Sequence, residues 1–241
     1  MEVNNSDGGS PESPATENMT TTSHHHFGDL NGSDDAISIT VIESMKEDYG
    51  LFVWPCSVIL AEYVWQHRSR FAGVSVVEHD VSLQLGAGTS LPGLVAAKVG
   101  ADVILTDDSD RLEVLDNMRK VCELNNIKCQ VMGLTWGVWD KSIYSLRPQI
   151  ILGADVLYDS SAFDNLFATV KFLLEKSPGS VFITSYHNRS GHHLIEFLMV
   201  KWGLKSVKLI DGFSFLPSWK ANGLSGNIQL VEIGLSDVGK K

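Results

Sequence analysis

The sequence predicts an α/β protein whose mostly parallel sheet is covered by helices on both faces. Short apolar runs alternate along the chain with stretches of helical periodicity, and the last two apolar runs follow each other without a helix between them. Alternating strands and helices build a parallel sheet, whereas consecutive strands can pair as an antiparallel hairpin. Such a sheet binds its ligand at the carboxyl ends of its strands.

The elements follow in order from these periodicities. Short segments that are either continuously apolar or alternately apolar and polar predict strands at 36–44, 74–78, 101–105, 131–134, 149–152, 180–185, 205–210 and 227–235. Segments with apolar residues three or four positions apart predict helices at 57–67, 91–99, 111–125, 162–174 and 192–201. Pro92 falls in the first turn of its helix, where a missing N–H is tolerated.

The most informative stretch is the glycine-rich turn between the second strand and the second helix. Gly86 and Gly88 allow a sharp turn and close approach of a ligand, and the helix that follows directs free N–H groups at it. An ordinary strand-to-helix turn explains two glycines equally well. However, Asp107 lies 21 residues after Gly86 at the end of the next strand, and an acid about 20 residues on accepts hydrogen bonds from ribose hydroxyls.

Two classes of nucleotide-like ligand compete for this pattern. A dinucleotide-binding turn reads G-x-G-x-x-G, which requires glycine at position 91, but the chain has Leu91 there and its third glycine at Gly93. The spacing therefore favours S-adenosylmethionine over a nicotinamide dinucleotide. A serine hydrolase is disfavoured as well, because the chain contains no G-x-S-x-G sequence.

Composition narrows the classes of partner and compartment. The 241 residues carry a net charge of −10, which disfavours direct nucleic-acid binding and suits a basic protein partner. Three scattered cysteines predict neither a disulfide framework nor a zinc site. Without an apolar run of about 18 residues or a signal peptide, we expect a protein of the cytoplasm or nucleus that does not enter the membrane. We also expect a monomer.

The polar N-terminal residues suggest an unfolded tail. Residues 1–35 are rich in Ser, Thr, Asn, Gly and acids, so we expect them to be disordered, with the folded domain at 36–241. The tail contains His24, His25 and His26, which can bind metal opportunistically but do not by themselves indicate a functional metal site.

The motifs FVWP, LGAGTSLPGLVAAKVGADVILTDDS, LTWG and DVLY, in this order and spacing, resemble the seven-stranded protein methyltransferases of the methyltransferase-like group. The resemblance covers the chain from about Ile37 to Leu235. It implies a Rossmann-like seven-stranded methyltransferase sheet, S-adenosylmethionine as cofactor, and transfer of a methyl group to a side-chain nitrogen of a protein. The acceptor would be arginine or lysine, with arginine and histone substrates favoured by the branch that the motifs resemble.

The resemblance also assigns site residues. The cofactor pocket would be lined by Trp54, Glu78, Gly86, Ala87, Gly88, Asp107, Trp136 and Ala154. Asp155 and Tyr158, which match the D-x-x-Y of the family, would lie beside the transferred methyl group and help place the acceptor nitrogen. From the residues alone, Asp155 is also explained as a helix N-cap, and Trp54 as a core residue. The transfer itself needs positioning and no metal.

One departure from the family pattern concerns the acid that closes the central strand. The family places Glu directly before Leu-Gly-Ala-Gly, whereas here Gln84 precedes Leu85, and Glu78 would complete the pattern if His79 to Gln84 were absent. We interpret HDVSLQ as a six-residue insertion. Either residues 74–78 remain the strand, or the strand shifts to 81–85 with Gln84 in place of the acid. The alternative function is therefore a catalytically impaired isoform that acts as an interaction module.

Overall fold

The computed structural model describes residues 19–29, 35–45, 52–79, 89–188 and 193–236, which form a seven-stranded sheet, a separate two-stranded sheet and eight helices. The strands are β1 (Met19–Phe27), β2 (Ile37–Met45), β3 (Ser75–His79), β4 (Asp102–Asp107), β5 (Gln130–Gly133), β6 (Ile150–Ala154), β7 (Val181–His187), β8 (Leu204–Asp211) and β9 (Ile228–Leu235). The helices are α1 (Pro55–Gln66), α2 (Arg68–Phe71), α3 (Leu91–Lys98), α4 (Leu112–Leu124), α5 (Lys141–Ser145), α6 (Phe163–Lys176), α7 (His193–Lys201) and α8 (Ser218–Ala221).

The large sheet has the strand order β5-β4-β3-β6-β7-β9-β8. The first five strands of this order are parallel, and β9 lies antiparallel between β7 and β8. The predicted fold class, a mostly parallel sheet with an antiparallel hairpin at the C-terminus, is confirmed. No helix within the described ranges is long and apolar enough to cross a membrane.

Two apolar layers cover the sheet, and β3 contributes to both because its side chains alternate. Val76 packs in the layer that contains α1, α3 and α4, whereas Val77 packs in the layer that contains α6 and α7. The same alternation directs Glu78 toward α3 on one face and His79 toward Trp136 on the other. The carboxyl end of β3 therefore presents two polar side chains in opposite directions.

The predicted disorder of residues 1–35 is wrong for Met19–Phe27, which forms β1 and pairs along its length with β2. The hairpin docks because Phe27, Ile39 and Val41 are buried against the first apolar layer. In addition, the Asn125 side chain accepts a hydrogen bond from the backbone N–H of Thr40 and donates one to its carbonyl. The polar composition of residues 1–35 does not indicate this strand, because a few buried side chains are enough when the partner strand supplies the backbone hydrogen bonds.

The position of β3 decides between the two predicted strand registers. β3 spans Ser75–His79, and Glu78 pairs with Leu105 of β4 and with Leu152 of β6. The alternative in which the strand shifts to 81–85 is therefore wrong, and Glu78 keeps the position at which the family pattern has its acid. Residues 80–84, the remainder of the proposed insertion, lie outside the described residues.

Candidate active site

The candidate site lies where β4, β3 and β6 end side by side. Leu105 and Leu152 both pair with Glu78, so Asp107 and Ala154, each two residues further along, reach the same level on either side of the end of β3. Neighbouring strands are about 4.8 Å apart, which places Asp107 and Ala154 about 10 Å from each other. The fold thus brings Asp107 and Ala154, both predicted cofactor-binding residues, to the same carboxyl edge of the sheet.

Glu78 secures the helix that follows the glycine turn. Its side chain is 1% exposed, and its Oε2 accepts a hydrogen bond of 2.8 Å from the backbone N–H of Gly93. A Cβ at Gly93 would lie 2.3 Å from this oxygen, so glycine is required for the contact. Burial raises the pKa of Glu78 to about 8. The acid that the family pattern places beside the cofactor therefore also fixes the first turn of α3.

Asp107 presents a buried acceptor at the end of β4. The side chain is 1% exposed, and its Oδ1 accepts a hydrogen bond of 2.7 Å from the backbone N–H of Asp108. Its Oδ2 has no hydrogen-bond partner among the described residues, and burial raises the pKa of the carboxyl to about 7. A buried oxygen without a partner is costly, and a ligand that brings hydroxyl groups would remove that cost.

His79 and Thr106 form a buried pair that the sequence analysis missed. The Thr106 hydroxyl donates to the backbone carbonyl of Glu78 at 3.0 Å and lies 2.5 Å from Nδ1 of His79. With the hydroxyl donating to that carbonyl, the Nδ1–H tautomer of His79 completes the pair by donating to Thr106. Burial lowers the pKa of His79 to about 3, so the ring is neutral, and its Nε2 is likewise without a hydrogen-bond partner in the described chain.

Trp136 lies against His79, with 4.9 Å between the ring centroids. The indole is 7% exposed and packs with Val77, Leu134 and Ile151 in the second apolar layer. This position is next to the end of β4, because Leu134 donates its backbone N–H to the carbonyl of Asp107 at 2.8 Å. A contact between Trp136 and the cofactor stays a prediction.

Three further polar groups lie directly before α1 and α3. Trp54 Nε1, Thr89 Oγ1 and Ser90 Oγ are buried and lack hydrogen-bond partners within the described ranges. Ser90 has a left-handed backbone, with φ 49° and ψ 30°, directly before α3. Such a conformation is uncommon for serine and is found at ligand-binding turns. Gly86, Ala87 and Gly88, which the sequence assigns to the cofactor, lie outside the described residues.

Asp155 follows β6 in a left-handed conformation, with φ 55°. Its backbone N–H donates to the carbonyl of Ser185 on β7 at 2.8 Å, which holds the strained residue at the sheet edge. The explanation of Asp155 as a helix N-cap is wrong, because α6 begins at Phe163 and Ala162 occupies its N-cap position. Asp155 and Tyr158 are both half-buried, which leaves part of each side chain accessible to a substrate.

The known proteins that the chain resembles in sequence are protein methyltransferases. A family model described as "Lysine methyltransferase" matches residues 33–201. The chain is 43% identical over 188 residues to "Histone-arginine methyltransferase METTL23" of Xenopus laevis, covering 77% of this chain and 78% of that protein. It is 41% identical to the protein of the same name from Homo sapiens, covering 66% and 82%, respectively.

More distant proteins share part of the sequence or only the fold. "Protein N-lysine methyltransferase METTL21A" of Mus musculus is 37% identical over 126 residues, which cover 50% of this chain and 54% of that protein. The solved structure of the CcbJ methyltransferase from Streptomyces caelestis superimposes with a TM-score of 0.56 at 13% identity, covering 76% of this chain and 91% of that one. At this identity the superposition concerns the fold alone.

Proposed function

The chain belongs to the lysine methyltransferase family, and we propose that it transfers a methyl group from S-adenosylmethionine to an arginine side chain of a basic protein, with histones as the first candidates. Membership of this family makes the chain a protein methyltransferase. The identities of the cofactor, the acceptor residue and the substrate are our proposal and go beyond family membership.

Asp107 is the observation that supports the cofactor. Its buried Oδ2 has no hydrogen-bond partner among the described residues and stands at the end of β4, where the two ribose hydroxyls of a nucleoside would satisfy a carboxylate. Further buried polar groups without partners among the described residues are Trp54 Nε1 at the start of α1 and the hydroxyls of Thr89 and Ser90 directly before α3. The residues present therefore fit S-adenosylmethionine, which when bound supplies an electrophilic methyl group on a sulfonium.

Asp155 and Tyr158 are proposed to place the acceptor nitrogen. The left-handed backbone of Asp155 holds its half-buried carboxylate at the end of β6, where it can accept hydrogen bonds from a guanidinium or an ammonium group. An arginine offers two parallel N–H donors to a carboxylate, so its orientation would be fixed better than that of lysine. The net charge of −10 favours encounter with a basic substrate.

The choice of arginine over lysine rests on the relatives. The relatives from Xenopus laevis and Homo sapiens named as histone-arginine methyltransferases share 43% and 41% identity over 77% and 66% of this chain, respectively. The mouse lysine methyltransferase METTL21A shares 37% identity over only half of it. The fold and the D-x-x-Y sequence are compatible with both acceptors, so a direct assay has to separate them.

The alternative proposal is an interaction module whose cofactor site is impaired. One observation favours it: residues 80–84 lengthen the connection between β3 and the glycine turn relative to the family pattern. Against it, Glu78 remains within β3, and its side chain accepts the hydrogen bond from the Gly93 N–H in the first turn of α3. We therefore rank the active enzyme first.

The deciding experiment is isothermal titration of the full chain with S-adenosylhomocysteine, beside a variant that lacks residues 79–84. In that variant Leu85 would take the strand position of His79 on the apolar face beside Trp136, so the strand can remain intact. We expect both proteins to bind, the shortened one more tightly. Binding by the shortened protein alone would support the impaired isoform, and binding by neither would contradict both the cofactor and the enzyme.

The acceptor is tested with isotopically labelled S-adenosylmethionine and histone-tail peptides. The matched control is the same peptide with each arginine replaced by lysine, which preserves its charge. Label on the arginine peptide alone supports the proposal, whereas label on the lysine peptide alone would overturn the choice of acceptor.

A further inference from the structure

Three potential metal ligands from distant parts of the sequence meet at the carboxyl edge of the sheet. Cys56 is the second residue of α1, Asp155 follows β6, and His187 ends β7. The Cys56 Sγ, an Asp155 carboxylate oxygen and a His187 ring nitrogen all lie within 4.8 Å of one another. The thiol is buried, whereas the other two side chains are half-buried and partly accessible to solvent.

The surrounding backbone fixes these three residues relative to one another. Ser185 accepts a hydrogen bond of 2.8 Å from the N–H of Asp155 through its carbonyl, and its hydroxyl donates one of 2.8 Å to the carbonyl of Cys56. The ring of His187 lies against Gly226, where a Cβ would come within 2.8 Å of Cε1 and 2.9 Å of Nδ1. Gly226 has a φ of 115° and is therefore a position that other residues fit poorly.

We propose that Cys56, Asp155 and His187 form a binding site for a divalent transition-metal cation of the Zn²⁺ type. Thiolate, imidazole and carboxylate are the three ligand types that Zn²⁺ accepts, and three protein ligands with one open position are a frequent tetrahedral arrangement. Metal bonds of about 2.0–2.3 Å place neighbouring ligand atoms about 3.3–3.8 Å apart, so a separation of up to 4.8 Å closes by side-chain rotation. The sequence hid this site because its ligands are 99 and 32 residues apart in the chain.

Metal binding would release the thiol proton of Cys56 to solvent. The cation would then lie at the carboxyl edge of the sheet, where the substrate is proposed to bind. The positive end of α1 favours the anionic thiolate near its first turn. Asp155 is also the residue proposed to place the acceptor nitrogen, so occupancy by Zn²⁺ should inhibit methyl transfer. This consequence rests on the proposed function, whereas the metal site itself does not.

The test uses Co²⁺ as a spectroscopic probe and the full chain with His24→Gln and His26→Gln. Both histidines are exposed and alternate on β1, so they share one face and would bind cobalt by themselves. A thiolate bound to tetrahedral Co²⁺ gives a charge-transfer band in the near ultraviolet together with visible d–d bands. We expect both sets of bands on titration with Co²⁺ and their loss on addition of Zn²⁺.

Three variants in this background locate the site. Cys56→Ser should remove the charge-transfer band, and His187→Gln should weaken Co²⁺ binding at least about tenfold. Cys122→Ser is the matched control, because Cys122 is also buried but lies on α4 outside the cluster, and its spectrum should be unchanged. His187 is half-buried, so its replacement keeps the test valid even if Cys56→Ser does not fold, which thermal melting without metal would show.

The proposal is overturned if the parent protein shows no charge-transfer band, or if the band persists with unchanged Co²⁺ affinity in Cys56→Ser or His187→Gln. The spectra require neither cofactor nor substrate. Methyl transfer is assayed separately on the metal-free protein. Activity of that protein without the band on Co²⁺ titration would refute the metal site alone, and the band without activity of the metal-free protein would refute the proposed function alone.

Discussion

Replacing Asp107 by Asn should weaken binding of S-adenosylhomocysteine without unfolding the protein. The carboxylate is 1% exposed, with Oδ1 occupied by the N–H of Asp108 and Oδ2 without a partner among the described residues. Hydrogen bonds from two ribose hydroxyls to a charged group contribute about 1.5–3 kcal/mol each. Asparagine keeps one acceptor, so the expected loss is about 2–3 kcal/mol, or about 30- to 150-fold in Kd.

The same substitution should leave the unliganded protein as stable as before. Asn has nearly the volume of Asp and removes a carboxyl whose pKa burial has raised to about 7, so we expect a change in the free energy of unfolding within about 1 kcal/mol. The binding assay is isothermal titration, and urea denaturation measures stability. Asp102→Asn, at the exposed opposite end of β4, is the matched control and should bind normally. An Asp107→Asn protein that is folded and binds within about twofold of the wild type would refute the ribose contact.

Two other predictions concern buried charges. Burial raises the pKa of Glu78 from its ordinary value of 4.5 to about 8, so the folded protein holds a proton that the unfolded chain loses. Raising the pH from about 5 to 8 should therefore lower the free energy of unfolding of the wild type relative to Glu78→Gln, by up to about 1.4 kcal/mol per pH unit. Urea denaturation at a series of pH values measures this difference. Parallel pH profiles of the two proteins would contradict the raised pKa of Glu78. Lys220 and Glu62 form an ion pair with side chains only 7% and 3% exposed. Lys220→Met should therefore cost about 3–5 kcal/mol, because Glu62 would lose its cationic partner and, within the described residues, keep only the hydrogen bond from Gln66. Adding Glu62→Leu should restore most of the thermal stability, and equal stability of the single and double variants would count against this.

The sequence predicted the elements whose own periodicity is strong and missed those that depend on neighbours. The apolar run of β3 and the one-sided helix α4 were readable because burial alone requires their patterns. The strand β1 has few apolar residues, and its order comes from pairing with β2 and from Asn125. The five-residue helix α5 was missed as well, although its cap, Asp140, accepts from the backbone N–H groups of Ser142 and Ile143 and could have been recognised.

Site residues divide in the same way. The position of Asp107 at the end of β4 could be predicted because the distance from the glycine turn to the next strand end is a property of the local sequence. The pairing of His79 with Thr106 depends on the register of two parallel strands, which no local pattern specifies. The cluster of Cys56, Asp155 and His187 depends on the order of strands in the sheet, which local sequence patterns do not specify either.

The geometry around β3 also limits how much the proposed insertion can impair the enzyme. Both ends of the connection are anchored, one at His79 by Thr106 and the other at α3 by the hydrogen bond from Gly93 to Glu78. Nine residues, 80–88, separate His79 from Thr89, which lies two residues before α3, whereas three would do so if residues 79–84 were removed and Leu85 took the position of His79. Closing a loop of nine residues rather than three between fixed ends costs about 1 kcal/mol of folding free energy. The longer connection therefore lowers the stability of the fold only modestly, and loss of cofactor binding would require the added residues to alter the pocket itself.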